Sequence, residues 1–163
     1  MTIGVLSDTH SLKIPAPLIE RFKKVDLIIH AGDLCDFQTL KLLKKLAPTK
    51  AVQGNMDEMA LKKELPVKEI IVWDNLKIGV THGHLGDTRD ALKNAQALFK
   101  DDKMDVVVFG HSHQAISEQK GSTLYFNPGS PNDVAKAKFF SYGLIRVEAG
   151  KIKAEIVKIG DRG

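Results

Sequence analysis

Ile3-Gly4-Val5-Leu6-Ser7-Asp8-Thr9-His10 opens the chain with a short apolar run that ends on two metal-loving side chains. A run of Ile, Val and Leu closed by polar residues reads as a buried strand whose C-terminal end carries chemistry. No basic start or small-residue cleavage site accompanies it, so it reads as part of the fold and not as an export signal.

The same grammar recurs along the chain. Val25–His30 runs into Ala31-Gly32-Asp33, and Ala51–Gln53 leads to Gly54-Asn55. Lys77–Thr81 leads to His82-Gly83-His84, and Val106–Phe109 to Gly110-His111-Ser112-His113. Together the five clusters supply two carboxylates, one amide and five imidazoles.

Helical patterns fill the gaps. One covers Pro15 to Lys24, with Pro17 in its first turn where a missing N–H costs little. Another covers Asp36 to Ala47, with Phe37, Leu40, Leu43 and Leu46 on one face, Asp36 as N-cap and Pro48 as terminator. A third is capped by Asp87 and runs to about Phe99. Glu69–Trp73 and Lys77–Thr81 flank Asp74-Asn75 as an antiparallel hairpin. The tail reads as strands over Ala115–Gln119, Thr123–Phe126, Ser141–Val147 and Lys151–Ile159, the last two joined at Glu148-Ala149-Gly150. Strands alternating with helices, then hairpins, describe an α/β fold with parallel strands early and antiparallel strands late. Ligands in such folds gather beyond the carboxyl ends of parallel strands. The first, second, third and fifth clusters stand at such ends.

A length of 163 residues favours one domain, 1–163, with room for a core without staples. Apolar residues make up 43% and charged residues 27%, the balance of a globular chain. No apolar run approaches the roughly 18 residues of a membrane-spanning helix. A lone cysteine, Cys35, excludes an internal disulfide, and the cytoplasm is the expected compartment. Cys35, two residues after Asp33, reads as a small buried apolar residue, with a place beside the metal-loving clusters as the alternative. The net charge of +4 is dispersed, with Lys23-Lys24, Lys44-Lys45 and Lys62-Lys63 as solvated helix faces. Such a surface suits an anionic substrate but marks no nucleic-acid track.

Asp8 and His10 alternate in an extended segment, so both point the same way. His111 and His113 repeat that spacing. Gly110 allows a sharp turn before them, as Gly32 and Gly54 do before Asp33 and Asn55. Mixed carboxylate and imidazole sets suit Mn²⁺, Zn²⁺, Fe or Ni²⁺ better than Ca²⁺ or Mg²⁺. Each cluster alone is weak, since strand-end Gly-Asp is commonly a turn. Five in one order exceed what turn chemistry explains. They suffice for two divalent cations sharing one ligand, an arrangement suited to phosphate-ester hydrolysis.

These motifs closely resemble the calcineurin-like metallophosphoesterase superfamily, and most of all its small single-domain, YfcE-type phosphodiesterase branch. That branch is similar in turn to the vacuolar-sorting subunit of retromer. The shared order is Asp-x-His, Gly-Asp, Gly-Asn, His and Gly-His-x-His, with Asn127-Pro128-Gly129-Ser130 as a further matching turn. The resemblance implies two mixed β-sheets packed as a sandwich flanked by helices. It also implies that Asp8, His10 and His113 bind one metal, that Asn55, His82 and His111 bind the other, and that Asp33 bridges them. Two Mn²⁺ ions are the implied cofactors, with Ni²⁺, Fe or Zn²⁺ as substitutes. A hydroxide between them would attack a small phosphodiester, with Asn55 and His82 as the catalytic side chains.

Many relatives with strong phosphatase activity carry histidine after Gly-Asn, where it protonates the leaving oxygen. Here Met56 stands there, and a thioether donates no proton. General acid help is worth about 10²–10⁴-fold, so substrates with good leaving groups are expected. Asp57 follows, without the histidine it would orient. His30 reads as packing or support, and His84 as ligand support or substrate contact. Ser112 reads as serving loop geometry. A rival reading is a retromer-like interaction scaffold with little catalysis, although all seven ligand positions hold competent side chains. A DNA nuclease would need an extra capping domain and a basic tract; small nucleotides stay within reach. Phe139-Phe140, within Asp133 to Phe140, reads as core, or as a contact surface for a homo-oligomer.

Overall fold

The computed structural model describes residues 1–73, 75–133 and 135–161. Strand β1 (Thr2–Leu6) leads through α1 (Ala16–Phe22) to β2 (Leu27–His30), and α2 (Phe37–Leu46) leads to β3 (Thr49–Ala51). After α3 (Met59–Glu64) come β4 (Lys68–Trp73) and β5 (Leu76–Thr81), then α4 (Ala91–Leu98) and β6 (Val106–Val108). Four strands finish the chain: β7 (Ile116–Lys120), β8 (Thr123–Asn127), β9 (Phe139–Glu148) and β10 (Lys151–Asp161).

They form two mixed five-stranded sheets, ordered β10-β9-β1-β2-β3 and β4-β5-β6-β8-β7. In the first, β1, β2 and β3 are parallel and β9 and β10 antiparallel. In the second, β5, β6 and β8 are parallel while β4 and β7 run against them. The first sheet keeps the expected division into parallel early and antiparallel late strands, whereas the second has a parallel centre, β5-β6-β8, with an antiparallel strand at each margin. The run Val106–Val108 is buried on both faces, as a central parallel strand requires, and periodicity does not reveal its neighbours.

The sheets pack face to face. Ile3, Val5, Ile29 and Ile145 from the first meet Ile71, Ile78, Val80, Val106, Val108 and Phe126 from the second. Leu18 and Phe22 of α1, Leu40 and Leu43 of α2 and Leu61 of α3 cover the outer face of the first sheet against Ile28 and Leu144. Ala91 and Ala95 of α4, with Phe99, cover the second against Val107 and Phe109. The result is helix, sheet, sheet, helix, as the motif resemblance implies.

Most expected elements are present with shifted ends: α1 and β2 are shorter, β9 and β10 longer, and β3 lies two residues earlier. Asp36 caps α2, accepting the Thr39 N–H at 2.9 Å, and Ala47 before Pro48 is extended, which ends the helix. α4 begins later than expected: Asp90, not Asp87, accepts the Leu92 and Lys93 N–H groups. Buried Asn94 donates to the Gly83 and Thr88 carbonyls and holds the preceding segment as a loop. Helix α3 was not foreseen; six residues show too little periodicity. β4 and β5 form the expected hairpin, although Asp74 of its turn lies outside the described residues. Phe139 and Phe140 lie half-buried in β9, with the Lys158 ammonium 5.5 Å from the Phe139 ring centre. No helix among the described residues is long and apolar enough to cross a membrane.

Candidate metal centre

The carboxyl ends of β1, β2, β5 and β6 converge on one edge of the sandwich, joined by the segment after β3. Beyond the last strand pairs, the two first loops stay zipped. Asp8 N–H donates to Gly32 O, His10 N–H to Asp33 O and Ser11 N–H to Leu34 O, each at 3.0 Å. Asp8 and Asp33 are thereby set side by side. In the other sheet the Gly110 N–H donates to His82 O at 3.1 Å and zips the loops after β5 and β6 in the same way.

The expected extended Asp8-x-His10 geometry does not occur. Asp8, His10, Asp33, His111 and His113 all have φ between 49° and 68°, the left-handed region. Asp and His tolerate it better than most residues, but such conformations concentrate where surrounding structure over-determines them. Gly54 and Gly110 also differ from expectation. Neither has positive φ; each is glycine because another chain segment touches its Cα. A Cβ on Gly54 would strike Asp33, and one on Gly110 would strike Ser7 Oγ and come within 2.9 Å of Asp8 Oδ2.

Five of the seven expected ligands meet closely. Asp8 Oδ1 lies 3.2 Å from His113 Nε2, and 3.9 Å from both His10 Nε2 and His82 Nε2. Asp33 Oδ2 lies 3.3 Å from His82 Nε2 and 4.0 Å from His10 Nε2. Asp8–His10–His113 and Asp8–Asp33–His82 are each compact enough to hold a cation. His111 and Asn55 stand outside these tight groups. The His111 N–H donates to Asp8 Oδ2 at 3.1 Å, and its ring centre lies 5.2 Å from that of His82. Asn55 is exposed, and its carbonyl accepts from Lys62 Nζ at 2.7 Å. Both line a cleft of about 260 Å³ with His10, Asp33, His113 and Met56.

Each closely placed imidazole is held through Nδ1. His82 donates there to the Ala31 carbonyl at 2.7 Å, His113 bonds Asp133 Oδ2, and His10 meets Cys35 Sγ at 3.6 Å. All three Nε2 atoms are left facing the two carboxylates. Asp8 Oδ1 and His82 Nε2, both buried, have no hydrogen-bond partner among the described residues. Buried polar atoms seldom go unpaired, so these atoms fit a cation as their missing partner. An outer hydrogen bond on Nδ1 with Nε2 free is the usual arrangement of a metal-binding histidine.

Electrostatics agree. Burial opposes charge on Asp8, yet the His113 and His82 imidazoles beside it hold its pKa below the ordinary carboxylate value. Burial likewise opposes charge on Asp33, but His82 and the Met56 N–H lower it to about 2. His82 and His113 are raised, because their carboxylate partners outweigh burial. The site thus balances two carboxylates with protons that a cation could replace.

Other side chains support these ligands, and the roles of Asp133 and Asp57 among them were not legible in the sequence. Asp133, nearly buried, orients His113; its only signal was its place three residues after Ser130, whose hydroxyl accepts the Asp133 N–H at 3.0 Å and donates to Asp8 O at 2.8 Å. Cys35 is half-buried against His10 instead of sitting in the core, and burial pushes its thiol up to about 12. Asp57 accepts the Cys35 and Gly54 N–H groups, each at 2.6 Å, and so clamps two loops. His30 is fully buried, bonds the Thr9 hydroxyl at 3.1 Å and is kept neutral by burial, with a pKa of about 3. The His84 ring centre lies 5.3 Å from that of His82, and burial lowers its pKa to about 4. Ser112 Oγ accepts from Asn127 Nδ2 at 3.1 Å, the loop role expected of it.

A carboxylate–imidazole cluster on the carboxyl edge of such a sandwich is the architecture of a metallophosphoesterase. The chain belongs to the calcineurin-like phosphoesterase superfamily, whose domain model matches residues 1–150. It is 38% identical over 163 residues to a probable metallophosphoesterase of Methanocaldococcus jannaschii, covering 98% of this chain and 82% of that protein. Among solved structures it resembles a novel archaeal phosphodiesterase, with 27% identity, a TM-score of 0.76 and coverage of 96% and 100% of the two chains. It also resembles wild-type Vps29 of Entamoeba histolytica complexed with Zn²⁺, with 28% identity, a TM-score of 0.73 and coverage of 97% and 99%.

Proposed function

We propose that this protein hydrolyses small phosphate diesters with the help of two divalent cations. The observation that carries the proposal is the common orientation of His10, His82 and His113, each held at Nδ1 with Nε2 turned to the Asp8–Asp33 pair. Asp8, His10 and His113 would hold one cation. Asn55, His82 and His111 would hold the other, with Asp33 shared. The reach of Asp33 Oδ2 to both His82 and His10 supports the sharing. Mn²⁺ is the first candidate; Ni²⁺, Fe and Zn²⁺ suit the same donors.

Such cations, when bound, supply an activated water as nucleophile and positive charge against the phosphoryl oxygens. The remaining work falls to the chain. The Asn55 amide, exposed on the cleft wall, offers an N–H toward a phosphoryl oxygen as charge develops there. Met56, 60% exposed, presents no proton to the leaving oxygen. Asp57 is occupied by two backbone N–H groups and does not replace the missing acid. Leaving groups must therefore depart largely unprotonated, which favours aryl diesters over alkyl monoesters. A cleft of about 260 Å³ falls below the ~300–1,000 Å³ typical for drug-sized ligands and suits a compact diester. The cytoplasm is the proposed compartment, on the strength of the single cysteine.

The Vps29 likeness keeps a second reading open, an interaction scaffold on the same fold. It ranks below catalysis because the donor set is complete. Hydrolysis of bis-p-nitrophenyl phosphate with added Mn²⁺, lost on chelation, is the expected result. Asp33→Ala should lose bound metal and activity together, measured by elemental analysis and turnover. Retention of both metals would refute the shared ligand. Inertness toward every activated diester with all four metals would sink the hydrolase reading and leave the scaffold.

A further inference from the structure

The two sheets have four edges, and three carry a protective device. β10 exposes Lys151, Lys153, Glu155 and Lys158 and has a register break between Lys158 and Gly160. β3 is three residues long and includes Lys50. β7 exposes Ser117, Glu118, Gln119 and Lys120. Charges, bulges and short length are the usual means by which proteins stop an open edge from pairing.

β4 has none of these over its second half, Ile70-Ile71-Val72-Trp73. Its register with β5 runs unbroken from Lys68↔Thr81 to Trp73↔Leu76. Ile70 and Val72 share the outward face and are 41% and 62% exposed, while Ile71 points into the core. Trp73 is 38% exposed. Its two charged residues do not guard the edge. Lys68 Nζ is held by Asp102 at 2.6 Å and Glu69 by Lys50 at 3.1 Å.

We infer that this edge pairs with the same edge of a second copy of the chain, joining two five-stranded sheets into one of ten strands. An antiparallel two-fold pairing centred on Ile71 is self-complementary. Ile70 stands opposite Val72 of the partner subunit, and the same contact repeats on the other side of the axis. No like charges meet in that register. Pairing also closes, because the opposite edge of the same sheet is the charged β7, so the assembly stops at two copies and does not grow into a fibre. A foreign extended peptide would fit the backbone equally well but would leave its own outer edge bare, which the self-pair avoids.

Sedimentation of the full chain across a range of micromolar concentrations tests the inference. The expected species has twice the 18.0 kDa chain mass. Ile70→Lys/Val72→Lys should shift it to the monomer with an unchanged far-ultraviolet circular-dichroism spectrum, since both side chains are on the surface. Neither residue lines the metal cleft, so Mn²⁺ titration of the variant should match the parent. A parent that is monomeric at every concentration overturns the inference, whether the edge stays bare or takes a foreign strand. A dimer that survives the double substitution overturns it too, by placing the interface elsewhere.

Discussion

Asp133→Asn separates the shape of the centre from its proton arrangement. In the parent, Asp133 Oδ2 accepts from His113 Nδ1 while Oδ1 accepts the Ala135 N–H at 2.7 Å. Asparagine can keep the Ala135 bond with its oxygen and then presents an NH₂ donor to His113 Nδ1. That donor demands a lone pair on Nδ1 and moves the ring proton to Nε2, the atom 3.2 Å from Asp8 Oδ1. A protonated Nε2 cannot bind a cation. Loss of an outer partner of this kind typically costs 10–100-fold in metal affinity, about 1.4–2.8 kcal/mol. The wrong-tautomer effect puts Asn at the upper end of that range. Asp133→Ala, which imposes no tautomer, should lie at the lower end. Calorimetric titration with Mn²⁺ measures both. Equal affinities for parent and Asn variant, or an Ala variant weaker than Asn, would refute the tautomer argument.

Met56→His should raise turnover of substrates with poor leaving groups, up to about 10²-fold, and leave bis-p-nitrophenyl phosphate nearly unchanged; parallel kinetics on an alkyl and an aryl ester check this, and no selective gain would refute it. Gly110→Ala drives a Cβ into Ser7 Oγ and against Asp8 Oδ2; overpacking of about 1–3 kcal/mol should lower Tm by about 2–12 °C, read by calorimetry. The metal should also protect the fold more strongly as pH rises. His82 and His113 have raised pKa values because carboxylates outweigh burial, so in the metal-free protein their contribution is full below their ordinary value near 6.5 and fades as pH climbs through the folded values. Mn²⁺ replaces those protons and binds better as they leave, so the Tm gap between loaded and metal-free protein should widen as pH rises above about 6.5, through the raised folded values. A constant gap in a melting series would contradict this.

Strand ends carrying Asp8, Asp33, His82 and the 111–113 loop were legible because apolar runs and polar tips alternate locally. Helix α2 was legible for the same reason: its cap, stripe and terminating Pro48 lie within one short segment. Short helix α3 and the delayed start of α4 were not. The first has too few residues to show a period, and the second depends on Asn94 bonding Gly83, a contact outside the helix. Sheet order escaped as well, since the three-residue strand Val106–Val108 takes β5 on one side and β8 on the other without any mark in its own sequence.

The sequence by itself determined the donor chemistry: which carboxylates, amide and imidazoles exist, in what order, and on the ends of which apolar runs. Only the tertiary structure decided which donors are neighbours, which nitrogen each ring presents, and why Gly54 and Gly110 have no side chain. The physical reason is separation along the chain. His111 bonds Asp8 across 103 residues, His82 takes its tautomer from Ala31 across 51, and His113 takes its own from Asp133 across 20. Local preference can place a histidine at a strand end, but ring orientation is set by whatever the packed sheets bring to its other nitrogen.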